Sequence, residues 1–184
     1  MNSRKDGFLY AYSIKETPNK GRGVFAAEPI KEGSLVWRHV PGQYAVYNEI
    51  SFNALIAKMT PDQVIYELTH VFGLADFPNC LIRVFDAGVL FNHASNANLM
   101  TNNTPDNPAP LDPGAPGYLD DVAAALLGDR YAMIATRDIE AGEEFTNNYL
   151  LEESDPPFFE AIYDQYDIDD SYLEADDEAS RNRN

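Results

Sequence analysis

The sequence predicts a single, mostly β domain with helical insertions, and three observations carry that expectation. Short apolar and aromatic runs recur from Phe8 to Tyr149 between clusters of Gly, Pro and Asn, the punctuation of short strands. A block at 52–72 changes to helical spacing. Behind the strands, Phe159, Ile162, Tyr163 and Tyr166 recur at helical spacing after Ser154-Asp155-Pro156-Pro157. A length of 184 residues with 45% hydrophobic content suits one domain with an ordinary core.

Taken in order, Phe8 to Ile14 alternates as a strand, and Thr17-Pro18-Asn19-Lys20-Gly21 supplies turn chemistry. Gly23 to Ala27, Ser34 to Trp37 and Gln43 to Tyr47 read as further strands. Ser51 is placed to cap a short helix through Met59. Thr60-Pro61-Asp62-Gln63 then offers a capping Thr, a Pro at the first helical position and a Gln at the third. That second helix is expected to run to Phe72 and stop at Gly73, with Val64, Ile65, Leu68, Val71 and Phe72 on one face. Leu81 to Phe85 and Gly88 to Phe91 read as strands, and 102–117, with five prolines, as a surface loop. Val122 to Leu127, Gly128-Asp129 and Arg130 to Ala135 read as a hairpin. The domain is thus expected over 8–150, a C-terminal aromatic helix over 151–167, and a frayed acidic tail over 168–184.

Composition narrows the chemistry. Cys80 is the only cysteine, which excludes an intrachain disulfide and a thiolate-based zinc site. His39, His70 and His93 are too scattered for a metal set, so no metal is expected. The net charge is −17, and 152–184 alone contributes −10 from twelve acidic and two basic residues. Such a surface repels phosphate backbones and attracts lysine-rich segments, so the expected partner is a basic protein and not a nucleic acid; solubility alone would explain the charge as well. No apolar run approaches the roughly 20 residues of a membrane helix. No signal-type stretch follows Met1-Asn2-Ser3-Arg4-Lys5-Asp6, so a soluble intracellular protein is the expectation.

Three segments carry the functional reading. Lys20-Gly21-Arg22-Gly23-Val24-Phe25-Ala26 is a glycine turn entering a strand, which by itself is as common in plain hairpins. It has neither the Gly-Lys-Ser/Thr of a phosphate loop nor the long helix of a dinucleotide fingerprint. Phe91-Asn92-His93-Ala94-Ser95-Asn96-Ala97-Asn98 places a His after Asn in an apolar approach, where a satisfied core histidine is the default. Ile139-Glu140-Ala141-Gly142-Glu143-Glu144-Phe145-Thr146-Asn147-Asn148-Tyr149 closes the set. In this order and spacing the chain resembles the SET-domain protein lysine methyltransferases, over roughly Tyr10 to Leu150.

The resemblance implies short antiparallel sheets, the helical insert, a C-terminal helix, and a threaded, knot-like core where Phe91–Asn98 meets Phe145–Tyr149. It implies S-adenosylmethionine as cofactor, with Lys20, Arg22 and Gly23 lining its pocket and Asn92 and His93 holding its amino-acid and adenine parts. Phe158 and Phe159 would pack over the adenine, in place of the zinc-bound cysteines of other members. Tyr149 would be the catalytic phenol, with Tyr118, Tyr131, Asn147 and Tyr163 walling a substrate channel. Three positions depart from the family pattern: Ala94 stands for Ser, Ala97 for Pro and Asn147 for the usual Tyr or Phe. The methylation state is therefore not legible. Glu143 and Glu144, at a turn before a strand, read as solvated or capping. Two other functions stay open: a catalytically silent module that binds basic proteins, and a methyltransferase for a small amine or non-lysine side chain.

Overall fold

The computed structural model of the chain describes residues 6–18, 20–102, 111–152 and 154–166. The expected acidic tail and half of the Pro-rich loop lie outside the described residues.

Strands β1 (Tyr12–Thr17) and β2 (Gly21–Ala26) form an antiparallel hairpin in register from Tyr12 opposite Ala26 to Thr17 opposite Gly21. The first strand begins four residues later than expected, and Phe8 instead bridges to Trp37. Strands β3 (Leu35–Trp37) and β4 (Tyr44–Tyr47) stand where the sequence put them. Helix α1 (Glu49–Ile56) is capped by Asn48; Ser51 is the third helical residue and completes a reciprocal capping box. Helix α2 (Pro61–Leu68) has the Thr60, Pro61 and Gln63 arrangement that the sequence shows.

Four expectations are corrected. Helix α2 ends at Leu68, because Val71 and Phe72 form strand β5 (Val71–Phe72) and pair with Arg83 and Ile82 of β6 (Leu81–Val84). Ala87–Leu90 is a 3-10 turn and not a strand: Asp86 Oδ1 accepts from Gly88 N at 2.8 Å, and a side chain at Gly88 would come within 2.6 Å of the Trp37 ring. The expected hairpin after Val122 is instead helix α3 (Tyr118–Leu126), a 3-10 turn at Asp129–Tyr131, and strand β9 (Met133–Ala135). The C-terminal helix expected over 151–167 is instead two, a short α4 (Tyr149–Glu152) and α5 (Pro157–Gln165).

Strand β9 lies between β3 and β8 (Leu99–Thr101), and β6 lies between β4 and β5, giving two three-stranded sheets. The remaining pair fixes the centre. Strand β7 (Asn92–His93) runs parallel to β10 (Thr146–Asn147), with Asn92 opposite Thr146 and His93 opposite Asn147. The two motif segments therefore meet, as expected.

Apolar packing follows the sheets. One cluster, around Phe8, Val24, Trp37, Phe91 and Phe145, lies beneath that parallel pair. A second joins Phe52, Val64, Leu68 and Val71 of the helical insert to Phe159 and Ile162 of α5. A third packs Tyr118, Val122 and Leu126 of α3 on Phe77, Ile82 and Tyr131. At roughly 1.5–3 kcal/mol for each large apolar side chain removed from water, these clusters hold short strands that could not persist alone. Among the described residues no helix is long and apolar enough to cross a membrane.

Candidate functional site

Two neighbouring features meet at Tyr149. The first is a hydrogen-bonded cluster built from the β1–β2 turn, β7 and the residues entering β10. Lys20 Nζ donates to the His93 carbonyl at 2.8 Å. Asn92 Nδ2 donates to Glu144 Oε1 at 2.7 Å and to the Arg22 carbonyl at 3.3 Å, and the Thr17 hydroxyl donates to the same Glu144 oxygen at 3.1 Å. Gly23 makes this approach possible: a Cβ there would overlap Glu144 Oε1 and stand 3.0 Å from Asn92 Nδ2. Asn98, only 1% exposed, locks the layer beneath. It accepts from Thr146 N at 2.9 Å and donates to the Glu144 carbonyl at 2.8 Å, so one buried amide ties the second motif to the third. Glu143 serves the turn: it accepts from Glu140 N at 3.0 Å and pairs with Arg137, whose guanidinium holds its carboxyl below the usual range.

The second feature is a cavity of about 500 Å³ between the insert, α5 and the parallel pair. Trp37, Phe91, Tyr131, Phe159 and Tyr163 give it aromatic walls, and Asn147 and Tyr149 add polar ones. The Tyr149 hydroxyl donates to the Phe91 carbonyl, and Tyr149 N donates to His93 Nδ1 at 3.2 Å. The His93 ring is buried and lies 5.5 Å from that of Tyr149. Residues 91–93 thus touch the hydrogen-bonded cluster through Asn92 and the cavity through Phe91. The walls also carry the carboxylates of Asp155, Glu160 and Asp164, while burial acts on the aromatic side. Burial pulls the His39 ring down to about 4, and lowers the pKa of His70 against the opposing pull of the Tyr66 carbonyl. Burial, with help from the Asp76 carboxylate, pushes the Tyr131 phenol up to about 12.

The structure groups the sequence-predicted residues in two sets. Lys20, Arg22, Gly23, Asn92 and His93 assemble in the hydrogen-bonded cluster and do not line the cavity; Tyr131, Asn147, Tyr149, Phe159 and Tyr163 line the cavity. Three residues are corrected, Phe159 among them: expected with Phe158 over the adenine, it lines the cavity and stands apart from Lys20, Arg22 and Asn92. Tyr118 is outside the cavity, on α3, with its hydroxyl donated to the Pro78 carbonyl at 2.6 Å. Phe158 packs beside the insert's apolar cluster, while its neighbour Phe159 turns into the core and the cavity wall.

Three participants carry no local signal. Glu144, read from the sequence as solvated or capping, is bonded to Thr17 and Asn92 across 127 and 52 residues of chain. His39 and Trp37 line the cavity because β3 brings them there. Among the described residues, no three His, Cys, Asp or Glu side chains converge to hold a metal ion.

The SET domain family model matches residues 21–150. Among solved structures, the methyltransferase domain of human histone-lysine N-methyltransferase SETMAR aligns at 19% identity with a TM-score of 0.48, covering 78% of this chain and 45% of that one. The structure described as ctPRC2 in an autoinhibited conformation bound to S-adenosylmethionine aligns at 18% identity with a TM-score of 0.52, covering 85% of this chain and 17% of that one. This chain spans less than half the length of either, and the second likeness speaks for the fold alone. No curated protein matches the chain.

Proposed function

On the premise that this chain belongs to the SET-domain family, we propose that it transfers a methyl group from S-adenosylmethionine to a lysine side chain of a protein. The observation that supports this best is the parallel pairing of β7 with β10, which sets Tyr149 in the cavity wall against His93 of the hydrogen-bonded cluster. A donor on one side and an acceptor on the other then meet at one residue.

The residues of that cluster suit the cofactor. The missing side chain at Gly23 lets the Glu144 carboxylate and the Asn92 amide close on the backbone of β2, and Lys20, Arg22 and His93 stand beside them. Bound there, S-adenosylmethionine supplies a methyl carbon activated by a sulfonium. The chain's own task is positional, since in-line displacement requires the acceptor nitrogen to be aligned at near-attack distance.

Asn147, Tyr131, Phe159 and Tyr163 wall the acceptor channel. An ordinary lysine, with a pKa of about 10.4, is almost wholly protonated at neutral pH; the Asp155, Glu160 and Asp164 carboxylates in the lining attract that ammonium, and the aromatic walls deeper in disfavour it by desolvation. Tyr149 orients the amine: a phenol that donates to the Phe91 carbonyl keeps acceptor capacity on the same oxygen. The net charge of −17 supports an acceptor lysine in a basic segment.

The test is titration calorimetry with S-adenosylhomocysteine, followed by transfer of labelled methyl to lysine peptides. Wild type should bind in the micromolar range. Tyr149→Phe should bind as well but lose about a hundredfold or more in turnover. Absence of binding, with and without a basic peptide, would point to the silent module. Binding with methyl transfer only to small amines would replace the acceptor class. Unchanged turnover in Tyr149→Phe would remove the phenol from the reaction.

A further inference from the structure

We propose that Glu144 is a positioning residue of the hydrogen-bonded cluster, fixing the Asn92 amide so that Oδ1 faces outward to accept the ammonium of the cofactor's amino-acid moiety. The inference rests on the methyltransferase reading and adds to it a residue that never touches the ligand.

An amide side chain is nearly symmetric in shape and opposite at its two ends, so which end meets a ligand depends on what holds the other. Asn92 Nδ2 is held twice, by Glu144 Oε1 at 2.7 Å and by the Arg22 carbonyl at 3.3 Å. Both hydrogens of the amide are then directed into the protein. Its Oδ1 has no hydrogen-bond partner among the described residues and is left as an acceptor. A flipped amide would set its oxygen against the Glu144 carboxylate and present N–H groups to the ligand, repelling a cation. The carboxylate itself is held in place, since Thr17 Oγ1 donates to it at 3.1 Å and the open space at Gly23 receives it. Residues from β1, β2, β7 and the approach to β10 therefore converge to orient one amide.

The same arrangement predicts a ligand-selective defect. S-adenosylhomocysteine carries the amino-acid moiety; 5′-methylthioadenosine shares the nucleoside and lacks it. Glu144→Ala should weaken S-adenosylhomocysteine about tenfold or more and leave 5′-methylthioadenosine within about twofold, by calorimetry on the full chain. Glu144→Gln, whose amide oxygen still accepts from Asn92 and Thr17, should recover most of the affinity. Gly23→Ala should show the same selective loss, since its Cβ would meet Glu144 Oε1, Thr17 Oγ1 and Asn92 Nδ2 together. Equal binding of S-adenosylhomocysteine by wild type and Glu144→Ala would overturn the inference alone. So would an equal loss of both ligands, which marks a general structural role. Wild type binding neither ligand would sink the cofactor reading and this inference with it.

Discussion

At the scale of single residues, His39 makes the clearest measurable demand. It is 5% exposed, its ring meets those of Trp37 and Tyr44 edge-on, and its Nδ1 has no hydrogen-bond partner among the described residues. An unfolded His takes its proton near pH 6.5, whereas the native ring does so only near 4. The folded state binds fewer protons through that interval, so the stability is complete above pH 6.5 and is lost as pH falls toward 4. About 2–3 kcal/mol is at stake, which falls short of the whole stability of a typical domain. Asp86 works the other way, because burial raises its carboxyl despite donors from Gly7, Gly88 and Trp37. That contribution is common to wild type and His39→Leu, so the difference between them isolates the ring. Urea titrations at pH 7.5 and 4.5 should show wild type losing about 2–3 kcal/mol more than His39→Leu. Parallel losses would mean that the native ring protonates like an exposed one. Neither His39 nor Glu144 could be assigned its place from sequence, because their partners are set by strand pairing across the fold. Tyr149, Asn92 and His93 were legible because a spaced motif carries them.

At the scale of elements, the contrast between α2 and β5 shows what periodicity resolves. Thr60, Pro61 and Gln63 mark a helix start in purely local chemistry, and the structure reproduces it. The helix end was not legible: Val71 and Phe72 continue the apolar spacing, yet they complete a sheet edge whose partner lies at Arg83 and Ile82. Helix α3 was legible and misread, since Tyr118, Val122 and Leu126 fall four apart with Asp120 and Asp121 in the first turn. Among the described residues an ion pair joins insert and sheet, in which Arg83 Nε donates to Glu67 at 2.8 Å and Nη1 donates to the Val84 carbonyl at 2.8 Å. Their side chains are 8% and 18% exposed, so removing one partner strands a charge. Arg83→Ala should therefore cost about 3–5 kcal/mol in chemical denaturation, and Arg83→Met with Glu67→Leu should restore most of it. A loss below about 1 kcal/mol in the single variant would mean that water solvates the pair and that the insert is held by apolar packing alone.

At the scale of the molecule, the C-terminal helix has two duties that one deletion would confuse. Phe159 and Ile162 complete the core of the insert, with Phe159 and Phe52 ring centres 6.1 Å apart, while Phe159 and Tyr163 line the cavity. The segment before the helix is tied to Gly73, whose N–H donates to Asp155 Oδ1 at 3.2 Å and whose carbonyl accepts from Ser154 N at 3.1 Å. Helical spacing could identify α5 as amphipathic but not name the surface it would cover, because its partners, Phe52 among them, lie far back in the chain. Point variants separate the duties. Phe159→Ala opens a hole among buried side chains and should cost about 3–5 kcal/mol, lowering the thermal midpoint together with activity. Tyr163 is only partly buried at the edge of that cluster, so Tyr163→Ala should keep stability within about 1 kcal/mol and still depress methyl transfer by widening the channel. Activity measured well below each variant's own midpoint distinguishes the two. If Tyr163→Ala turns over like wild type there, α5 is scaffold and not wall, and the acceptor must be enclosed by the insert and the strands alone.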